Sequence, residues 1–251
     1  MHLLDLFRYT RTGKSRAQSL FAGLTDYHTH LLPGVDDGVE TIEESLRCLE
    51  AHERLGFEEV WLTPHIMEDI PNTTDRLRTI FERLRQAYTG PIRLRLAAEY
   101  MIDPLLSERL EADDLLTIDD HLLVETSYFD APKHLRELLA RIAEKGYTPL
   151  LAHPERYNYM SEPDYHRLKG LGVRFQLNLL SLTGLYGPHA KVKAEKLCAG
   201  RLYDRIGSDQ HTPRQSEALE RMAHTAAFIR PLSSLNIHSH QQSNKICQSK
   251  Y

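Results

Sequence analysis

The chain has 251 residues, of which 41% are apolar and 26% charged, and a net charge of -4. That length allows one large α/β core and is common for a single barrel domain. The balance is that of a globular protein. It excludes a broad basic footprint for nucleic acid or an anionic membrane, while leaving a locally positive site for small anions open.

Residues 1–20 carry Arg8, Arg11, Lys14 and Arg16 with no apolar run of signal-peptide length, so an arm or short helix is expected there. No stretch of roughly 18 apolar residues predicts a membrane span. Cys48, Cys198 and Cys247 are odd in number and widely spaced. They do not form a disulfide framework, and a reducing cytoplasm is the expected compartment.

Short apolar runs predict strands at Leu24–Tyr27, Glu58–Thr63, Ile92–Glu99, His121–Glu125, Tyr147–Ala152, Val173–Asn178 and Arg205–Ser208. Helical patterns fill most of the gaps. Thr41 and Glu44 have capping-box spacing, Ile42, Leu46 and Leu49 form an apolar stripe, and Gly56 suits the C-terminal cap. Asn72 is the expected cap of the next helix, where Leu77, Ile80, Phe81 and Leu84 recur at helical spacing. A third helix is predicted from His134 to Lys145, ending at Gly146. Seven strand-then-helix units imply a parallel sheet with right-handed crossovers, closed or nearly closed into a barrel. The barrel is expected over residues 21–231, followed by a polar tail over 232–251.

Ligand-type residues collect at the ends of these strands. Asp26, His28 and His30 follow the first, with Asp36 and Asp37 in the loop beyond. His65 ends the second, Glu99 the third, Glu125 the fourth, His153 the fifth, and Asp209 and His211 the seventh. In a parallel barrel all strand C-termini share one face, so these side chains converge. His28 and His30 are two apart and face the same way on an extended strand; Asp209 and His211 repeat the spacing. Pro64 and Pro154 suit strand ends. Imidazole and carboxylate without thiolate suit Zn, Mn or Fe in a reactive site rather than a cysteine-rich structural zinc.

Each signal has a bland reading. A single histidine at a strand end is commonly a satisfied polar residue, and His238-Ser-His240 repeats the His-x-His spacing inside the polar tail, where it reads as solvated. Four separate strand ends carrying histidine are harder to ascribe to packing. Cys48 and Arg54 have the Cys-x5-Arg spacing of cysteine-based phosphatases, but the segment is helical, lacks glycine and holds two glutamates that would repel phosphate and raise the thiol pKa. Arg156 and Arg214 lie near the ligand strands and could fork onto phosphate oxygens or form surface ion pairs; the cluster beside them favours phosphate.

The run from Asp26 to Gly38 is similar to the opening motif of the polymerase-and-histidinol-phosphatase (PHP) superfamily. With Thr63-Pro-His65, Ala98-Glu99-Tyr100, His153-Pro-Glu-Arg-Tyr157 and Ser208-Asp-Gln-His211, it resembles the bacterial capsule-associated tyrosine-protein phosphatases, over about residues 20 to 215. The resemblance implies a distorted (β/α)7 barrel of the PHP type holding two to three divalent metal ions (Mn, Fe, Zn or Co). It implies His28, His30, Glu99 and Asp209 around one ion, Glu99 and His153 around a second, and Asp37, His65 and His211 around a third. Asp37 is chosen over Asp36 because the family's ligand directly precedes the glycine. Arg156 and Arg214 match arginines used near phosphate. The implied reaction is hydrolysis of phosphotyrosine on a protein partner, a bacterial tyrosine kinase that controls exopolysaccharide export. A small-molecule phosphatase of the histidinol-phosphate kind and a non-catalytic metal-bound module are the alternatives, and assembly as a homo-oligomer is left open. The resemblance also implies a longer terminal helix than the tail suggests.

Overall fold

The computed structural model describes residues 20–235. Its elements are β1 (Thr25–Thr29), α1 (Ile42–Leu55), β2 (Glu59–Leu62), β3 (His65–Ile66), α2 (Thr74–Ala87), β4 (Arg93–Leu96), β5 (Glu99–Met101), α3 (Pro104–Ala112) and β6 (His121–Glu125). There follow α4 (Leu135–Glu144), β7 (Thr148–Ala152), α5 (Glu162–Gly170), β8 (Arg174–Asn178), α6 (Gly187–Ala199), β9 (Arg205–Gly207), α7 (Pro213–Met222) and α8 (Ala226–Leu232). The expected polar tail beyond Leu235, with His238, His240 and Cys247, lies outside the described residues, as does the expected N-terminal arm up to residue 19.

Every named strand pair is parallel. One sheet has the order β1-β2-β4 and the other β3-β5-β6-β7-β8-β9. They are two arcs of one ring, because the second strand runs on past its expected end at Thr63, resuming beyond Pro64 as β3, and the third expected strand is broken in two. Pro64, which has no N–H to give, separates β2 from β3, and its carbonyl accepts from Glu99 N at 3.1 Å. Ala97 and Ala98 separate β4 from β5. On the opposite side β9 meets β1: Asp209 N donates to His28 O at 2.8 Å and His30 N to Gln210 O at 2.9 Å. The seven strand positions thus close on themselves as a distorted barrel.

The helices cover the outside. Thr41 caps α1 by accepting from Glu44 N at 3.2 Å, and Gly56 ends it with φ +88°. The capping box is only half formed, since the Glu44 carboxylate accepts from Glu40 N instead of from the cap residue. Asn72 does not cap α2. Thr73 does, because the Asn72 amide is buried and donates to the Val35 and His65 carbonyls at 2.8 and 3.0 Å, tying the β1 loop to β3. Leu122, Val124 and Leu151 face the helices in the main core. The alternate residues Leu123, Leu150 and Ala152 join Tyr27, Trp61, Ala97 and Ile118 in a smaller cluster that fills the barrel and floors the site above it. No helix of the described residues is long and apolar enough to cross a membrane.

Candidate metal centre

The site begins with an irregularity in β1. Asp26 pairs with Val60 and Thr29 with Leu62, so β1 carries one residue more than β2 over this stretch, a β-bulge. It lets Tyr27 join the barrel interior while His28 and His30 both turn to the mouth, their Nε2 atoms 3.1 Å apart. Asp26 turns instead toward α1, where it meets His52. Gly207 on β9 lies so close beneath that an added Cβ would sit 2.4 Å from His28 Cβ.

Glu99 is the hub. Its carboxylate lies 3.2 Å from His28 Nε2, 3.3 Å from His30 Nε2, 3.2 Å from His65 Nδ1 and 3.1 Å from His153 Nε2. Asp209 Oδ1 is 3.4 Å from both His28 Nε2 and His30 Nε2. Glu125 approaches His65 Nδ1 at 3.2 Å and His153 Nε2 at 3.8 Å. Asp37 Oδ1 stands 3.5 Å from His65 Nε2 and 3.4 Å from His211 Nε2. The donor atoms fall into three groups, each with its atoms within 4.8 Å of one another, close enough to share a cation: His28, His30, Glu99 and Asp209; His65, Glu99 and Glu125; and His30, Asp37, His65 and His211.

All eight residues expected as ligands are therefore in one place. Glu125, marked in the sequence only as a strand-end carboxylate, joins them; its place at the end of β6, in register with Met101 of β5, was the available signal.

The imidazoles are held from behind. His28 Nδ1 donates to Gln176 Oε1 at 2.9 Å, His30 Nδ1 to Asp36 Oδ2 at 2.8 Å, and His211 Nδ1 to the Asp209 carbonyl at 2.9 Å. With the hydrogen on Nδ1, each Nε2 lone pair faces the centre, which is how proteins orient metal-ligating histidines. Asp36 is buried and also accepts from His65 N and Gly38 N, whereas the Asp37 side chain is 65% exposed and leans over the mouth. Of the two neighbouring aspartates, Asp36 thus braces His30 from behind while Asp37 offers its carboxylate to the mouth. Asn178 Nδ2 donates to Asp209 Oδ2 at 2.7 Å. Gln176, Asn178 and the supporting role of Asp36 had no sequence signal, because each partner comes from a strand distant in the chain.

The electrostatics fit a cation. Burial opposes charge on His28, yet the Glu99 and Asp209 carboxylates outweigh it and raise its pKa to about 9. Burial likewise works against ionised Glu99 and Asp209, but His28 and its neighbours hold both well below the usual carboxylate range. Glu99 Oε2, His65 Nδ1 and His153 Nδ1 are buried without a hydrogen-bond partner. Unpartnered buried polar atoms are costly, and a nitrogen-and-oxygen donor set of this kind suits Zn, Mn, Fe or Co better than Mg. His153 and Asp209 also adopt left-handed backbone, with φ of +34° and +52°, a strain of ~1–3 kcal/mol per residue that is characteristic of functional sites.

Arg156 enters from the short 3-10 turn after β7 and donates from Nη1 to Asp209 Oδ2 at 2.7 Å. Its guanidinium carbon lies 4.4 Å from the Tyr128 ring and 4.1 Å from the Tyr186 ring. It is thus an ion-paired residue of the site itself. Arg214 is exposed in the first turn of α7 and has no ion-pair partner among the described residues. Cys48 and Arg54 do not converge. Cys48 is buried, and burial pushes its thiol up to about 11, while Arg54 is exposed and bonded to Glu220 Oε1 at 2.6 Å.

A parallel barrel with histidines and carboxylates gathered at its strand C-termini defines the class of barrel hydrolases built around metal ions. Within it, the profile of the CpsB/CapC family of capsular polysaccharide synthesis matches residues 24–232, and the chain belongs to that family. The match runs further than the motif resemblance, which ends near Gln215. The chain is 27% identical over 197 residues to the tyrosine-protein phosphatase YwqE of Bacillus subtilis, covering 75% of this chain and 77% of that one. It is 25% identical over 199 residues to the putative tyrosine-protein phosphatase CapC of Staphylococcus aureus, again covering 75% and 77%. Among solved structures it resembles one from a study of Bacillus subtilis YwqE and Streptococcus pneumoniae CpsB, described as metal-dependent tyrosine phosphatases. The TM-score is 0.67 at 23% identity, covering 86% of this chain and 94% of that one. A histidinol phosphate phosphatase from Lactococcus lactis shares the fold with a TM-score of 0.50 at 16% identity, covering 80% and 93%.

Proposed function

We propose that this chain is a metal-dependent phosphatase that hydrolyses phosphotyrosine on a protein of capsule or exopolysaccharide synthesis, a tyrosine kinase controlling export, in the cytoplasm. The observation that carries the reading is Glu99, one carboxylate within 3.3 Å of four imidazole nitrogens from three strand ends. Family membership and relatives named as tyrosine-protein phosphatases support the substrate class. The two described cysteines are free thiols, in keeping with a reducing compartment.

His28, His30, Glu99 and Asp209 would hold one ion, Glu99 and Glu125 with His65 or His153 a second, and Asp37 and His211 with His65 a third. Bound divalent ions supply Lewis-acid activation of water and neutralise charge at phosphoryl oxygens. The protein's own part is geometric. Gln176 and Asp36 fix the imidazoles, and Asn178 and Arg156 fix Asp209. Arg156 keeps a rigid positive charge beside the centre, and Arg214 offers a second from the rim. A phenolate leaving group, with a conjugate-acid pKa of about 10, departs without strong general-acid help.

The test is phosphate release by the chain loaded with Mn, Co, Fe or Zn, from a phosphotyrosine peptide and from histidinol phosphate. Preferential turnover of the peptide is expected. Faster turnover of histidinol phosphate overturns the substrate, and no release from either overturns the activity.

A further inference from the structure

Asp26 and His52 are both wholly buried, yet neither offers an atom to the ligand groups. Asp26 Oδ1 accepts from His28 N at 3.1 Å and from Ser208 N at 2.9 Å. Asp26 Oδ2 lies 2.9 Å from His52 Nε2. On the far side of the ring, His52 Nδ1 donates to the Cys48 carbonyl, one turn back on α1, at 2.9 Å.

These contacts answer a problem that the bulge creates. A bulge leaves a backbone N–H outside its ladder, and a buried unpaired N–H is costly. Asp26 satisfies the amide of His28 and, with the same oxygen, takes the amide of Ser208 from β9. One carboxylate oxygen therefore ties together the strand that carries His28 and the residue preceding Asp209. The remaining freedom is rotation of the carboxylate. His52 removes it, because its own ring is pinned at both nitrogens between Asp26 and the α1 backbone. The ring also packs against Phe57, with centroids 5.3 Å apart.

We infer that Asp26 and His52 are a positioning pair, which sets the aim of His28 and Asp209 from outside the barrel and thereby sets the affinity of the centre for metal. This rests on reading the cluster as a metal centre. A merely electrostatic role predicts something different. A buried carboxylate draws cations by its charge alone, whereas a positioning carboxylate acts through its hydrogen bonds. Asp26→Asn separates the two: the amide oxygen still accepts from His28 N and Ser208 N, and the contact with His52 survives with its direction reversed, the amide nitrogen donating to an unprotonated Nε2 while Nδ1–H stays on the Cys48 carbonyl, but the carboxylate charge is gone.

The experiment titrates the metal-free full chain with Mn(II), reading affinity by calorimetry and ligand-field symmetry by electron paramagnetic resonance. Melting in EDTA checks the fold of each variant without metal. His52→Met keeps side-chain length and loses the donor toward Asp26; it should lower Mn(II) affinity about 10–100-fold, the range for losing a partner that orients a ligand, and broaden the spectrum. His52→Gln restores a donor and should recover most of the affinity. Asp26→Asn should bind close to wild type. Wild-type Mn(II) binding by folded His52→Met overturns the pair, and a loss in Asp26→Asn as large as in His52→Met assigns the effect to charge and also overturns it. Should His52→Met not fold, His52→Leu carries the same comparison. A folded wild-type chain that takes up no Mn(II) refutes the metal centre itself, which distinguishes that failure from failure of the positioning pair.

Discussion

Arg156 is clamped onto Asp209: Nη1 donates to Oδ2 at 2.7 Å while the Tyr128 and Tyr186 rings approach the guanidinium carbon to 4.4 and 4.1 Å. Burial works against the charge, but Asp209 and the surrounding groups hold the guanidinium pKa above its ordinary value, so it stays a fixed cation. Arg156→Ala should therefore cut kcat/KM for a phosphotyrosine peptide on the order of a hundredfold, the scale for losing one preorganised donor. Metal content should persist, because Asn178 still holds the same Asp209 oxygen. Arg156→Lys keeps a charge but not the planar contact with two rings, and should recover only part of the loss. Wild-type kinetics in Arg156→Ala would remove the residue from the site.

Metal uptake should depend on pH with a definite sign. The neighbouring carboxylates overcome burial and raise His28 to about 9, so in the metal-free chain it carries a proton at neutral pH. Metal must displace that proton, and affinity should rise roughly tenfold per pH unit for each proton displaced between pH 7 and 9. The metal-free fold should behave oppositely. A histidine with a raised folded pKa contributes its full stability below its unfolded value of about 6.5, and that contribution fades as pH climbs through about 9. The gap in melting temperature between metal-loaded and EDTA-treated protein should thus widen from pH 6.5 to 9. A gap that narrows over that range contradicts the protonated centre.

Much of this was legible in the chain because strand-end position is a local property. His121–Glu125 coincides with its prediction, and the β7, β8 and β9 runs differ from theirs by one residue at an end. The breaks within the second and third strands were not legible: Pro64 looks like the end of one strand, yet its carbonyl accepts from Glu99 N as the continuation of a ladder and the chain re-enters as β3. The bulge was equally hidden, since Asp26, Tyr27 and His28 read as plain alternation and only pairing with β2 reveals the extra residue. Asp36 and Asp37 show the same limit. Their order relative to Gly38 selected Asp37 as the ligand, but the buried contact of Asp36 with His30 needs the folded loop.

Gly207 makes the bulge testable. A methyl group there would stand 2.4 Å from His28 Cβ and 2.7 Å from Gln176 Nε2, closer than real side chains come. Neither neighbour can retreat, because His28 is held by Gln176 and its strand is bound to β9. Gly207→Ala should therefore cost about 1–3 kcal/mol of stability, as overpacking does, and weaken metal binding as well. Differential scanning calorimetry with and without metal would measure both. An unchanged melting temperature and metal affinity would mean that β1 and β9 can part without consequence.

The decisive contrast is between the two phosphate chemistries that the sequence offers. A thiolate mechanism needs Cys48 ionised and beside its arginine. Burial raises the Cys48 thiol to about 11, so it remains protonated at neutral pH, and Arg54 is engaged with Glu220. Cys48→Ser places a hydroxyl where a thiol packs, at a stability cost of about 1–2 kcal/mol, and should remain active; the buried thiol should also resist alkylation at pH 7.5. Glu99→Gln nearly preserves shape but removes the charge shared by four imidazoles. Metal affinity and turnover should fall together, turnover by at least about a hundredfold, in line with loss of a ligand rather than of a supporting contact. Activity assays on the two variants, paired with metal analysis of each, decide the matter. An inactive, metal-replete Cys48→Ser beside an active Glu99→Gln would transfer the chemistry from the barrel mouth to helix α1.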